Sequence, residues 1–354
     1  MHIERLAPAD EASLQDWFEV ARAAWAVDLP DDPEECWEEF AGRLHHQRPD
    51  EPEEVWLARG DEGVLGGCWV QTPMQANRET AVLEATVHPA HRRRGVGLAL
   101  LHHVADQVRA AGRSRLILES LERLVAGTPA GSPGVAFLQA IGAERALDET
   151  RRRLDVSTVD DEAHARLLAD AAGRSAGYSM LPWAGSTPAE QLPAIARLVT
   201  RLEQDAPLDG LAWQPETWDA ERARAADAVN LARSRRTYTT AARDDATGEL
   251  AGFTSIVFPA YPSHFAYQEA TVVNRDHRGR RLGMRLKIEN LRLARHHEPA
   301  LRLIDTWNAT SNGHMIAVNE AMGFRAHSQG AEWQLEIDAL TRTAPVTRTT
   351  RDRS

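Results

Sequence analysis

Apolar residues recur at helical spacing in two stretches of the chain, and each stretch follows a strand-like run and a polar turn. In the first stretch the apolar positions lie four apart, at Val96, Leu100, Val104 and Val108. This spacing places a single buried stripe on an α-helix. In the second stretch Leu282, Leu286 and Leu293 form the corresponding stripe.

The two stretches belong to a weak internal repeat. Residues 84–98 and 269–284 both read as a strand, an arginine-rich turn and the start of a helix. Downstream, each copy has a second strand and a second helix that ends in a glycine turn. Gly283 follows Gly97 by 186 positions, and Gly323 follows Gly142 by 181. Two landmarks at nearly equal offsets indicate a duplication.

Chain length agrees with the duplication, because 354 residues are too many for one ordinary core. Apolar runs separated by glycine turns predict a hairpin ahead of each arginine-rich turn. Strands that then alternate with helices predict an α/β (α+β) fold. We expect a first domain over 1–155, a linker over 156–182, a second domain over 183–340 and a disordered tail over 341–354.

Composition narrows the classes of function. The formal net charge of -11 argues against nucleic acid as a partner and weakly favours a cationic acceptor such as an amine. No apolar run approaches the ~20 residues that a membrane span needs. Cys36 and Cys68 are too few for a disulfide framework, and this usage predicts a cytoplasmic protein.

Residues 92–97, Arg-Arg-Arg-Gly-Val-Gly, have the features of a pyrophosphate-binding turn. Glycines at a helix start let backbone N–H groups approach a ligand closely, and the helix dipole adds partial positive charge there. Arginines can pair with phosphate oxygens. A P-loop is excluded because the turn has no lysine, and a dinucleotide fingerprint lacks its third glycine, since Leu100 stands in that place.

These residues resemble the acyl-CoA site of the GNAT (GCN5-related N-acetyltransferase) superfamily, whose motif is Arg or Gln, two residues, Gly, one residue, then Gly or Ala. Arg92, Gly95 and Gly97 fill that motif. The second copy departs from it, because Arg281 stands in the place of the first glycine, between Arg278 and Gly283. The resemblance covers the core of each half. The chain as a whole is broadly similar to tandem acetyltransferases of the mycothiol synthase type.

The resemblance implies two tandem GNAT folds, each a mixed, mostly antiparallel sheet flanked by helices, with a splayed central strand. It implies acetyl-CoA or another acyl-CoA as co-substrate and no metal. The residues implied in binding it in the first half are Val87, His88, Arg92, Arg93, Arg94, Gly95, Val96, Gly97, Leu98 and Ala99. Those in the second half are Val273, Arg278, Gly279, Arg280, Arg281, Leu282, Gly283, Met284, Asn308 and Asn312.

The acceptor amine must be neutral to attack, so a base is required. Glu84 and Glu269, on the strands before the two turns, are the candidate bases. Their spacing from the turns differs by one residue, so we expect them to face opposite sides of their strands. The simpler interpretation of each is a side chain that points to solvent or forms a structural ion pair.

Many relatives use a tyrosine, four residues before the last glycine, to protonate the CoA thiolate. Leu138 and Asn319 occupy those positions here, and neither can act as an acid. Tyr267, near the second candidate base, is a weak substitute, and a half-buried strand aromatic is its simpler interpretation.

The sequence therefore predicts a direct N-acyltransferase that acts on a small-molecule amine, as a monomer or homodimer, without nucleic acid or membrane as partner. The alternative is a non-catalytic acyl-CoA-binding or regulatory protein with two degenerate halves. Either half could be the active one.

Overall fold

The computed structural model describes residues 1–340; the predicted tail over 341–354 lies outside them. The first half runs through β1 (His2–Arg5), α1 (Glu11–Asp28), α2 (Trp37–His45), β2 (Glu53–Gly60), β3 (Gly63–Gln71), β4 (Thr80–Val87), α3 (Val96–Ala110), β5 (Arg115–Val125), β6 (Thr128–Pro129), α4 (Pro133–Ala140) and β7 (Glu144–Asp155). The predicted hairpin over 55–70 is β2–β3, and the first amphipathic helix is α3.

The second half repeats this order. It comprises α5 (Asp161–Arg174), β8 (Tyr178–Ala184), α6 (Leu192–Asp205), α7 (Ala220–Ala232), β9 (Arg236–Asp244), β10 (Leu250–Phe258), β11 (Phe265–Val273), α8 (Leu282–His297), β12 (Leu303–Ala309), α9 (Gly313–Ala321), β13 (Arg325–Glu336) and α10 (Ile337–Leu340). The segment 156–182, expected as a linker, contains α5 and most of β8. Ala171 of α5 packs in the same apolar cluster as Ile288 of α8.

Both halves contribute to one continuous sheet, in the order β1-β2-β3-β4-β5-β13-β7-β12-β11-β10-β9-β8. The last strand of each half lies beside the fifth major strand of the other half: β13 pairs with β5, and β7 pairs with β12. β7 and β13 also pair with each other at the centre. The two halves therefore exchange their last strands.

Each half has the predicted splayed strand. β4 pairs in parallel with β5 only from Thr80 to Leu83, so its last four residues separate from β5. β11 pairs in parallel with β12 only over residues 265–267. The Thr306 hydroxyl donates to the Gln268 carbonyl at 3.1 Å and closes the narrow end of the second gap.

Helices cover both faces of the sheet in each half. In the first half α1 and α2 pack on one face, and α3 and α4 pack on the opposite face. In the second half α6 packs on one face, and α5 and α8 pack on the other. The gap of each splayed strand thus opens beside a helix start on one face and beside the α1–α2 or α6–α7 pair on the other.

Candidate active sites

The turns before α3 and α8 share one backbone conformation. Each has two left-handed positions, two residues apart: Arg93 (φ 63°) and Gly95 (φ 85°) in the first half, Gly279 (φ 80°) and Arg281 (φ 55°) in the second. The arginine and glycine have exchanged places between the copies. The substitution of Arg281 for the motif glycine therefore preserves the turn, at the steric cost of a side chain in left-handed backbone.

The first arginine of each turn, Arg92 or Arg278, is held by protein groups in this structure. The Arg92 guanidinium donates to the Asp28 carboxylate at 2.7 and 2.8 Å and to the Val87 carbonyl at 3.1 Å. Arg278 likewise donates to the Val273 carbonyl at 3.0 Å and to Asp205. Asp28 and Asp205 are the last residues of α1 and α6. Both arginines therefore brace the splayed strand against a helix end.

Other turn residues remain available to phosphate. Arg93 and Arg94 are exposed, and no acidic partner for either occurs within residues 1–340. Arg280 is also exposed, and its one hydrogen bond to the described residues goes to the Asp276 carbonyl, at 2.9 Å. Val96, Leu282 and Met284 are buried in the apolar core, so only their main-chain groups can serve a ligand. His88 accepts from the Ala90 N–H through Nδ1 at 3.2 Å.

The second glycine of each turn lies beside the splayed strand, with ordinary van der Waals room for a Cβ. A Cβ at Gly97 would lie 3.6 Å from Cγ2 of Val87, and one at Gly283 would lie 4.0 Å from Cγ2 of Val273. Gly97, Leu98, Ala99 and Gly283 are partly exposed at the helix starts. Each helix N-terminus thus lies directly against a splayed strand. A single acyl-CoA could therefore place its pyrophosphate at the helix start and its thioester at the strand.

Val87 and Val273 present their N–H groups to the gaps. His88 N–H donates to the Leu65 carbonyl at 3.0 Å while Val87 lies opposite Gly66, so Val87 belongs to a non-hydrogen-bonded pair. Its N–H therefore points away from β3. The Asn274-to-Ala251 hydrogen bond of 2.8 Å gives Val273 the same orientation. Both groups are oriented to polarise the carbonyl of a thioester that lies in the gap.

The candidate base of the first half is engaged in an ion pair. Arg43 of α2 donates to the two carboxylate oxygens of Glu84 at 2.6 and 2.8 Å, and it also holds Glu53 at 2.7 Å. Bidentate contacts of this kind are strong and directional. The carboxylate of Glu84 is therefore tied to the helix that covers it.

Glu269 lies in a β-bulge. The register of β10 and β11 shifts between Thr254 and Ile256, so Glu269 and Ala270 together lie opposite Ser255. The extra residue cancels the one-residue offset in spacing. Glu269 consequently faces the α6–α7 side as Glu84 faces the α1–α2 side, and our expectation of opposite faces is wrong.

A cavity of about 430 Å³ lies at this bulge, between the two halves. The second half contributes Glu269 and Ala270, together with Trp183 and Trp218 and residues of α6 and α7. The first half contributes a polar wall of five residues: Gln47, Arg48, Glu51, Glu53 and Gln71. The splayed strand of the second half thus meets a half-open, acceptor-sized space built by both halves.

Glu269 is the carboxylate of this cavity that lacks a partner within residues 1–340. Glu53 is held by Arg43, Glu51 by Arg222 at 3.2 Å, and Asp227 accepts from the Thr187 N–H at 2.8 Å. Glu269 has no hydrogen bond or ion pair among the described residues. Its side chain faces the cavity, and desolvation by the surrounding protein raises the pKa of its carboxyl group.

A family model described as the acetyltransferase (GNAT) family matches residues 14–126 and 197–324. The chain belongs to the GNAT acetyltransferase family. A solved structure of a tandem GNAT protein from the clavulanic acid biosynthesis pathway, without AcCoA, is 31% identical, with a TM-score of 0.80. The match covers 95% of this chain and 98% of that one.

A GCN5-related N-acetyltransferase from Sphaerobacter thermophilus shares the fold at 14% identity, with a TM-score of 0.64 and 95% of each chain covered. No curated protein sequence matches the chain. The tandem arrangement of two GNAT folds is thus supported by the family model, the solved neighbours and the strand order described above.

The remaining predicted residues of this GNAT protein surround the second gap. Asn308 of β12 accepts from the Asn319 amide at 2.7 Å, and Asn312 caps α9 by accepting from the Met315 N–H at 3.3 Å. Tyr267 lies on the strand below the gap, with its ring 5.7 Å from that of Trp307. Burial raises the pKa of Tyr267, so its phenol stays protonated near neutral pH.

Several functional features were not found from the sequence. The braces to Asp28 and Asp205 were missed because their partners lie 64 and 73 positions from the arginines. Ser132 caps α4 as Asn312 caps α9, a correspondence hidden in the Gly/Pro-rich loop of the first half.

Within residues 1–340 no helix is both long and apolar enough to cross a bilayer.

Proposed function

We propose that this protein is an acetyl-CoA-dependent N-acyltransferase that transfers its acyl group directly to a small-molecule amine, and that the second half carries out the reaction. Glu269 supports this proposal most directly. It is an unpaired carboxylate on the splayed strand β11, and it faces the cavity between the two halves.

The described groups suit a direct transfer. A thioester in the gap between β11 and β12 would place its carbonyl oxygen near the Val273 N–H, which stabilises the developing oxyanion. An amine in the cavity approaches from the other face of the same strand. Glu269 accepts the proton of the attacking amine, directly or through water, and its raised pKa makes it a stronger base than an ordinary glutamate.

The second turn would hold the nucleotide end of the donor. Its left-handed positions direct main-chain N–H groups toward one point at the start of α8, and Arg280 supplies an exposed cation. Asn308 and Asn312 lie on the far side of the gap, where amide groups of the pantetheine arm could bond to them. No metal is needed for this chemistry.

The first half suits a different role. Its turn has two exposed arginines and its gap has a correctly oriented Val87 N–H, yet Arg43 holds Glu84 in a bidentate pair. We propose that this half binds acyl-CoA without transferring its acyl group. If the second half also bound acyl-CoA without transferring its acyl group, the protein would be the non-catalytic acyl-CoA-binding alternative.

Two measurements test the proposal together. Calorimetric titration with acetyl-CoA should show binding to the intact chain, and a continuous assay of thiol release should show turnover with at least one member of a panel of small primary amines. Absence of acetyl-CoA binding would contradict the proposal. Binding without thiol release across the panel would favour the non-catalytic alternative.

A further inference from the structure

The chain contains a single lysine, Lys287, and it is buried in the middle of α8 with 1% of its surface exposed. Within residues 1–340 its ammonium has neither a carboxylate nor a hydrogen-bond acceptor. Its one described contact is with the Phe324 ring, whose centroid lies 5.3 Å from Nζ. Burying an unpaired ammonium lowers the stability of the fold. We therefore looked for a function that this lysine could serve.

The duplicated fold shows what this position needs for packing. Lys287 is the sixth residue of α8, and the sixth residue of α3 is Leu101, which is also 1% exposed and belongs to the apolar core. Positions 101 and 287 are therefore equivalent buried positions of their helices, and a leucine fills the first of them. A lysine is not required for the helix to pack.

A second buried polar group lies on α9, close to the residue that Lys287 contacts. Asn319 occupies the α9 position that is Leu138 in α4, and it is fully buried. Its Oδ1 has no donor among the described residues. The Phe324 N–H, which belongs to the residue beneath Lys287, donates to the Asn319 carbonyl at 3.0 Å. The α8–α9 seam of the second half thus holds an unpaired donor and an unpaired acceptor where the first half has two leucines.

We infer that Lys287 is the proton donor to the CoA thiolate, in place of the absent tyrosine, and that Asn319 Oδ1 accepts from the pantetheine arm. This inference rests on the proposed function of the second half. Lys287 lies about 7.5 Å along α8 from its first residue, at ~1.5 Å per residue. Its Nζ lies over the ring of Phe324, a residue just after α9, so the ammonium is on the side of α8 nearest the end of α9.

The proton balance is complete with these groups. As the amine nitrogen bonds to the thioester carbon, Glu269 takes the amine proton. When the C–S bond breaks, sulfur leaves with the bonding electron pair and takes a proton from Lys287 Nζ, giving CoA thiol and a neutral lysine that water reprotonates. Burial lowers the pKa of Lys287 to about 7, which suits an acid that must also be restored near neutral pH.

The test compares wild type with Lys287→Leu, which restores the residue of the first half. The thiol of bound CoA is titrated by its ultraviolet thiolate absorbance, and acyl transfer is measured in parallel. We expect the thiol to ionise at least one pH unit higher in Lys287→Leu than in wild type. We also expect kcat to fall about 100-fold while the KM for acetyl-CoA changes less than twofold.

Asn290→Val is the matched control. Asn290 is a fully buried polar residue of the same helix, but it bonds to Thr240 and Tyr238 on the side of β9. This variant should lose stability without moving the thiol titration. Lys287→Met provides a second, unbranched replacement if the leucine variant packs poorly.

The outcomes separate the two proposals. If CoA does not bind the second half of the wild type, the proposed function fails. If CoA binds but the thiol titration and kcat are the same in wild type and both Lys287 variants, only the role of Lys287 is overturned. Competitive labelling with acetic anhydride adds a direct check, since Lys287 is the single lysine, and bound CoA should slow its modification.

Discussion

At the residue scale, the two halves differ most in how they hold one glutamate. Glu84 is locked by Arg43, whereas Glu269 faces a cavity with no partner among the described residues. A carboxylate that must accept a proton cannot be fully committed to a guanidinium. The same strand position therefore has a structural role in one half and suits a catalytic role in the other.

Replacing Glu269 with glutamine should remove the base without changing the shape of the cavity. We expect kcat/KM for the amine to fall 10²–10⁴-fold, the usual contribution of a general base, with acetyl-CoA affinity unchanged by calorimetry. Glu84→Gln is the matched variant and should lower kcat/KM less than about threefold. Equal losses in both variants would contradict the assignment of transfer to the second half.

The pH profile provides an independent prediction. Because enclosure raises the pKa of Glu269, its carboxylate is lost at a higher pH than that of an exposed glutamate as the solution is acidified. The kcat/KM profile should therefore show an acidic limb with an apparent pKa above 4.5. Glu269→Gln should lack this limb, and an acidic limb retained in that variant would assign it to another group.

Burial of Lys287 also has a consequence for stability. Its folded-state pKa of about 7 lies below the ordinary value of 10.5, so the unfolded chain binds the extra proton between these values. Stability of the wild type should rise with pH across this window. Lys287→Leu should be more stable than wild type at pH 7, and urea unfolding should show that difference shrinking toward pH 10.

At the element scale, the turns before α3 and α8 conserve a backbone shape with different residues. Gly95 and Arg281 both adopt left-handed backbone at the helix N-cap. Open space surrounds the Cβ position at Gly95, so only its positive φ resists a side chain there. Backbone shape, and not the glycine itself, is what the two turns share.

Gly95→Ala should destabilise the protein by about 1–2 kcal/mol, the cost of left-handed backbone for a residue with a Cβ. Arg281→Gly relieves that strain but adds unfolded-state freedom and removes the contact with Asp170. We expect its change in unfolding free energy to lie within about 1 kcal/mol of zero. Chemical denaturation measures both, and a large loss in Arg281→Gly would show that its side chain has a further role.

Local patterns predicted these elements well because their causes are local. The four-residue apolar spacing gave α3, and the glycine and arginine clusters marked both turns. The bulge at Glu269 was not predictable in the same way, because a strand pattern counts residues and cannot show which one lies unpaired against β10. The arginine braces were not predictable for a related reason: an arginine suits a phosphate and a distant aspartate equally well.

At the scale of the whole molecule, strand exchange makes the two halves one structure. β13 lies between β5 and β7, and β7 lies between β13 and β12, so each half completes the sheet of the other. The acceptor cavity also depends on both halves, because Glu51 and Glu53 of the first half and Glu269 of the second line it together. The sequence repeat predicted two folds but not this exchange, because the pairing joins residues about 200 positions apart.

The halves should therefore not be stable alone. Residues 1–158 and 159–354 expressed separately would each expose strand edges that the other half covers, and such edges promote association. We expect each to be unfolded or aggregated by circular dichroism and size-exclusion chromatography, and the two to co-purify as a 1:1 complex when co-expressed. Two monomeric, folded halves would contradict the dependence inferred from the sheet order.

A crystal structure of Glu269→Gln with acetyl-CoA and an accepted amine bound would decide where transfer occurs, because this variant should be too slow to turn over. We expect a thioester carbonyl within hydrogen-bonding distance of the Val273 N–H and an amine nitrogen facing residue 269 in the cavity between the halves. Acetyl-CoA bound only beside Val87, or an acceptor on another surface, would contradict this expectation.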